Sequence, residues 1–177
     1  MKKLAILLLL ALPLAATAQN KKPPTDLRGV LLEQLRTSHS AEDWYVPANI
    51  AVANLTAEQA KWTPGKDAHS VGQLANHLLF WDSRALADFK GEKSPTFNGN
   101  NDETFNKFDA ATWNDTVQRL DRVMTALEDF VQHADDAKLS ASATTLAHIG
   151  AHNAYHTGQI LYVRKLQGSW NPDNGVK

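Results

Sequence analysis

ATTLAHIGAHNAYHTGQILYVRKLQ (residues 143–167) carries three histidines at four-residue intervals, and Gly168 follows immediately. The stretch predicts a helix from about Ala143 to Gln167, because a glycine just past the last periodic residue is a usual helix stop. At about 3.6 residues per turn, His148, His152 and His156 drift slowly around one face and form a column. Two imidazoles one turn apart can share a metal ion, since their nitrogens can converge about 2.0–2.1 Å from a common centre. The H-x-x-x-H spacing alone equally describes two hydrogen-bonded or half-exposed histidines. Gly158 costs the helix about 1 kcal/mol relative to alanine, so a close approach to its backbone is expected, most simply by a neighbouring helix. Gln159 is placed to hold a ligand ring or a bound water, or else is a plain core-edge glutamine.

Outward from this segment, three more amphipathic stretches appear. Leu27, Val30, Leu31, Leu35 and His39 recur at helical steps and predict a first helix, broken or kinked near Tyr45 by Pro47 and resuming through Ile50, Ala53 and Asn54. Ser70 and Gln73 form a capping-box pattern for a second helix over about Val71–Lys90, with Leu74, His77, Leu78, Trp81 and Leu86 on its stripe. A third helix is expected over about Trp113–His133, with Thr112 as N-cap and Val117, Leu120, Val123, Met124, Leu127, Phe130 and Val131 facing inward. Residues 91–111 (GEKSPTFNGNNDETFNKFDAA) are polar and Asn-rich and read as one long loop. About 20 extended residues reach some 60 Å against a helix of about 30 Å, so the second and third helices can run parallel. The fold class is therefore all-α: a four-helix bundle with one long crossover between helices two and three and shorter connections elsewhere.

At the start, Lys2 and Lys3 precede an apolar run from Leu4 to Leu14, and Ala16-Thr17-Ala18 offers small residues for cleavage. Residues 1–18 thus read as a secretory signal, too short for the roughly 20 apolar residues of a spanning helix. Gln19–Pro24 reads as a linker, and the folded domain is expected over 25–177, in a periplasmic or secreted protein without a stable membrane anchor once cleaved. The mature charge is −3, with 16 basic residues left against 19 acidic once Lys2 and Lys3 are gone, which favours neither nucleic acid nor anionic lipid. Without cysteine the chain has neither disulfides nor a thiol of its own.

His77 is the candidate third ligand, because it lies on an apolar stripe where an unpartnered polar ring is costly to bury. Trp81, one turn after His77, and Tyr155 are candidates to wall the open side of a metal, or are simply core. Three segments support a wider comparison: HNAYHTGQILYVRKLQGSW (152–170), SVGQLANHLLFW (70–81) and AEDWYVPANIAVANLTAEQAKWTP (41–64). In order and over nearly all of the mature chain they resemble the DinB-like, or YfiT-like, four-helix bundles, with H-x-x-x-H-x-G-Q the most specific element. That resemblance implies a divalent metal held by one histidine of the second helix and two of the fourth, by position His77, His152 and His156. His148 is then an extra, read like His39 as an outer-sphere or ordinary surface histidine, while His69 and His133 fall at helix ends and read as solvated.

Three histidines suit Zn, taken as the default, or Ni, Fe, Co or Mn. The resemblance implies a metal-dependent enzyme of hydrolase or thiol-transferase type acting on a small molecule. The alternatives are a non-catalytic metal- or ligand-binding envelope protein and a bundle without metal. Hydrolysis usually wants a general base, and no Glu stands beside a ligand as in H-E-x-x-H. Asp82 and Asp43 are the nearest carboxylates and read as solvated or capping residues. A homodimer is left open by the sequence.

Overall fold

Helix formation starts where the first apolar stripe does. In the computed structural model, which describes residues 22–175, α1 spans Leu27–His39, capped by the Asp26 carboxylate accepting from Gly29 N. The expected signal 1–18, and residues 19–21 of the expected linker, lie outside the described residues. Four long helices follow from the sequence pattern: α1, α4 (Val71–Lys90), α6 (Trp113–His133) and α7 (Asp136–Gln167), with no strand among the described residues. Ser70 and Gln73 form the expected capping box at α4, each satisfying a backbone N–H of the other's end. Gly168 ends α7 in the left-handed conformation, φ 75°.

Side-chain pairings set the directions. Arg28, at the start of α1, donates to the Ala134 carbonyl at 2.8 Å and to Asp136 at 3.0 Å, joining the end of α6 to the start of α7. Phe89 and Phe130 stack at 4.9 Å near the C-terminal ends of α4 and α6, so these two helices run parallel. They lie antiparallel to α1 and α7. The parallel pair requires the long crossover expected between them.

Elsewhere the structure departs from expectation. The first helix does not resume after a kink: it stops at His39, and Pro47, which cannot donate a backbone N–H, instead begins a separate α2 at Ala48–Val52. The connection 40–70 is therefore long as well, and contains a further α3 at Ala57–Lys61 behind a Thr56/Gln59 capping box. The loop 91–111 is not structureless, since it holds α5 at Asp102–Asn106 and a 3-10 turn that starts at Ala110. Thr112 makes no side-chain cap: its hydroxyl donates to the Asp109 carbonyl, and Asp109 caps Ala111 N. Helix α7 starts seven residues early because Asp135 caps Lys138 N and Leu139 is already buried.

Gly158 is exposed and a Cβ there would meet nothing within 4 Å, so no neighbouring helix explains it. The close approach is at Gly150, where a Cβ would lie 2.7 Å from Gln34 Cγ, letting α1 settle onto α7. Two apolar clusters fill the bundle. One joins the first halves of α4 and α6 to α2, α3 and the end of α7; the other joins α1 to the second half of α6 and the first half of α7. Between them lies a buried polar layer that includes Asp82 of α4 and Asn153 of α7.

Candidate metal centre

Because α4 and α7 run antiparallel, the apolar stripe of α4 carries His77 to the level of the His152–His156 turn. His77 Nε2 lies 3.1 Å from His152 Nε2, and the ligand nitrogens of His77, His152 and His156 all fall within 4.8 Å of one another. At Zn–N bonds of about 2.0–2.1 Å, two ligands of a tetrahedral centre are about 3.3 Å apart, so the observed spacing is already near that of a ligand pair. His77 and His156 are buried and His152 is half-buried.

Hydrogen bonds outside the trio choose which nitrogen faces inward in two of the three rings. Thr104 spends its only proton on the Asn101 carbonyl at 2.6 Å, so its oxygen must accept from His77 Nδ1–H, also at 2.6 Å. His77 Nε2 is thereby left with a free lone pair. Gln159 Oε1 accepts from His156 Nδ1–H at 2.6 Å, while its amide donates to the Tyr155 hydroxyl at 3.2 Å, and the His156 Nε2 lone pair is likewise freed. Phe105 stacks on His77 at 3.9 Å and on its other face carries His69, also at 3.9 Å.

Electrostatics reinforces the neutral rings. Burial, then the neighbouring charges of His156, His152 and His69, pushes His77 down to about 3. Burial and His156 push His152 down to about 4. His156 is also lowered, by burial, with the bond to Gln159 opposing. Three neutral imidazoles converging on one point, with no carboxylate among them, suit a borderline transition-metal cation, so the residues present fit a metal.

The trio forms one wall of a cleft of about 500 Å³. Trp81 lines it, edge-on to His77 at 6.4 Å, with its indole N–H donating to Asn101 at 3.3 Å. His148 lies exposed on the same cleft, one turn before His152. Tyr155 is 64% exposed, stands edge-on to His156 at 4.9 Å and is not among the residues lining the cleft. His39 is not a surface residue: it is 5% exposed, between Asp121 and Glu128 of α6. His69 is exposed yet stacked, and His133 is exposed at the end of α6.

Asp82 is the largest correction. It is 0% exposed, lines the cleft, and accepts from Asn153 Nδ2 at 3.1 Å, whereas Asp43 is exposed. Its position on the Leu74–Leu78–Asp82 row was a visible sign of burial. Thr104, Phe105 and Asn101 were hidden from sequence reading inside an apparent loop.

Residues 48–160, well over half the chain, match a family model described as the DinB superfamily. No curated protein and no solved structure matches the chain.

Proposed function

The chain belongs to the DinB superfamily, and on that premise we propose that it is a metal-dependent enzyme acting on a small molecule through His77, His152 and His156. One observation carries this reading: three imidazole nitrogens converge, two of them on buried rings whose tautomer is set by Thr104 and Gln159, and no carboxylate among the described residues joins them. A divalent ion held there, with zinc the default and Ni, Fe, Co or Mn the alternatives, supplies Lewis-acid polarisation and lowers the pKa of a water or thiol. The chain does the rest. Trp81 and Phe105 present apolar faces beside the trio, and the cleft is large enough for a small-molecule substrate. The reaction class is hydrolase or thiol transfer, and the N-terminal segment supports export to the periplasm or beyond the cell.

The test is elemental analysis of protein purified without a metal-binding tag, beside His77→Ala and His152→Ala/His156→Ala variants. About one equivalent of transition metal in the wild type, lost in variants that keep their helical circular dichroism, is the expected outcome. A wild type that is empty and cannot be loaded with Zn, Ni, Fe, Co or Mn overturns the reading.

A further inference from the structure

Behind the trio, the Asp82–Asn153 pair is incompletely satisfied. Asn153 Nδ2 donates to Asp82 Oδ2, which leaves Asp82 Oδ1 and Asn153 Oδ1 both buried and both without a donor. The Thr157 hydroxyl, one helical turn beyond Asn153, is also buried and unpartnered. Buried acceptors left without a donor are costly, and native structures rarely tolerate them. Two such acceptors on one hydrogen-bonded pair call for a molecule that brings its own protons. Of these three residues only Asp82 lines the cleft it shares with His77, His152 and His156, so that molecule comes from the cleft.

The geometry points to Asp82 as the proton acceptor for a water at the three-histidine centre, with Asn153 holding its carboxylate in place, which makes the reaction class hydrolytic. This assignment rests on the metal-dependent reading proposed above, and it supplies the general base that the histidine motif itself lacks. Asp82 Oδ1 takes a proton from the attacking water as the new C–O bond forms at the acyl carbon of an ester or amide. The bond to the leaving group then breaks, and Asp82 returns the proton to the departing oxygen or nitrogen. No Lys or Arg is among the described residues lining the cleft, so a thiol co-substrate of peptide type finds no cationic anchor for its carboxylates.

Burial pushes Asp82 up to about 7, against the pull of Asn153 and of the His39 charge, which suits a proton acceptor at neutral pH. The titratable groups around it are His39 on α1, whose charge acts on it, with Asp121 and Glu128 of α6 bonded to that ring, and, lining the same cleft, His77 on α4 and His148, His152 and His156 on α7.

The test uses the cobalt(II)-loaded protein, whose visible spectrum follows ionisation at the metal independently of turnover, together with 4-nitrophenyl acetate hydrolysis. In Asp82→Asn, cobalt content holds, the spectral midpoint moves down by about one pH unit because a nearby negative charge is gone, and kcat falls about 100-fold or more with KM little changed. Asn153→Ala, which removes the hydrogen bond that favours ionised Asp82, shifts the midpoint in the same sense by less. Midpoints unmoved in both variants overturn the role of Asp82 while leaving the metal centre standing. A wild type that takes up no cobalt is a different failure, since it removes the three-histidine reading and this assignment with it.

Discussion

Two histidine groups sit in this bundle and solve the same problem in opposite ways. At His39, one buried ring spends both nitrogens on carboxylates, Nδ1 on Glu128 at 2.7 Å and Nε2 on Asp121 at 2.9 Å. Burial alone would lower its pKa, but those bonds and charges outweigh burial and raise it above 6.5. At the trio, three rings each turn a nitrogen toward a shared point, no carboxylate answers, and all three pKa values fall. His39 is a finished ion cluster that ties α1 to α6. The trio keeps its inward nitrogens open to a cation, and that difference separates a histidine fixed in an ion cluster from one able to hold a metal better than burial does, since His39 and His77 are buried alike.

The sharpest way to break the contrast is to remove what orients the trio. Thr104→Val and Gln159→Leu keep side-chain bulk but take away the acceptors of His77 Nδ1–H and His156 Nδ1–H. Each is expected to weaken zinc affinity about 10- to 100-fold, as loss of an outer-sphere hydrogen bond typically does, read by competition with a chromophoric chelator. His39→Gln should leave that affinity unchanged. Should it weaken zinc binding as much as Thr104→Val does, the two groups are not independent and the contrast collapses.

A second, smaller effect separates the groups by sign. His77 and His152 titrate near 3 and 4 when folded and 6.5 when unfolded, so below pH 6.5 the unfolded chain holds more protons and metal-free stability is lost as pH falls. His39 runs the other way: its contribution is complete below 6.5 and disappears as pH rises through its raised value. Asp82, raised from 3.8 to about 7, also binds its proton in the folded state, so its ionisation lowers stability as pH rises over that interval. Each unmatched proton contributes a slope of at most about 1.4 kcal/mol per pH unit. In urea denaturation of the metal-free protein from pH 4 to 9, His39→Gln should flatten the alkaline side and Asp82→Asn the interval just below 7. A wild-type curve with no alkaline decline would sink the reading of His39 as an imidazolium.

The contrast also marks what the residues disclosed in advance. Helices α4 and α6 were legible to their end residues because long apolar stripes end there and Ser70/Gln73 punctuate one of them. Helices α3 and α5, five residues each, are too short to display a period, although the Thr56/Gln59 box was there to be read. The helical repeat alone puts His152 and His156 on one face. It could not show that Thr104 and Phe105, from the crossover, complete the surroundings of His77, because that is a tertiary meeting between segments 27 residues apart. The burial of Asp82 runs against its residue type for a physical reason: an aspartate is almost never fully buried without a partner, and its partner Asn153 lies 71 residues away on another helix.

The smallest prediction lies inside the His39 cluster. Glu128 is 16% exposed and Asp121 59%, so water screens the second contact far more than the first. Glu128→Gln should cost about 1–2 kcal/mol near pH 6, where His39 is charged, and Asp121→Asn under about 1 kcal/mol. Glu128 also lies 3.6 Å from Arg36, so part of its loss belongs to that second pair. A double-mutant cycle with His39→Gln separates the two, because only the coupling to His39 vanishes when the ring is gone. If the coupling energies of Glu128 and Asp121 to His39 are equal, burial is not what sets them, and the ring's charge is held by geometry alone.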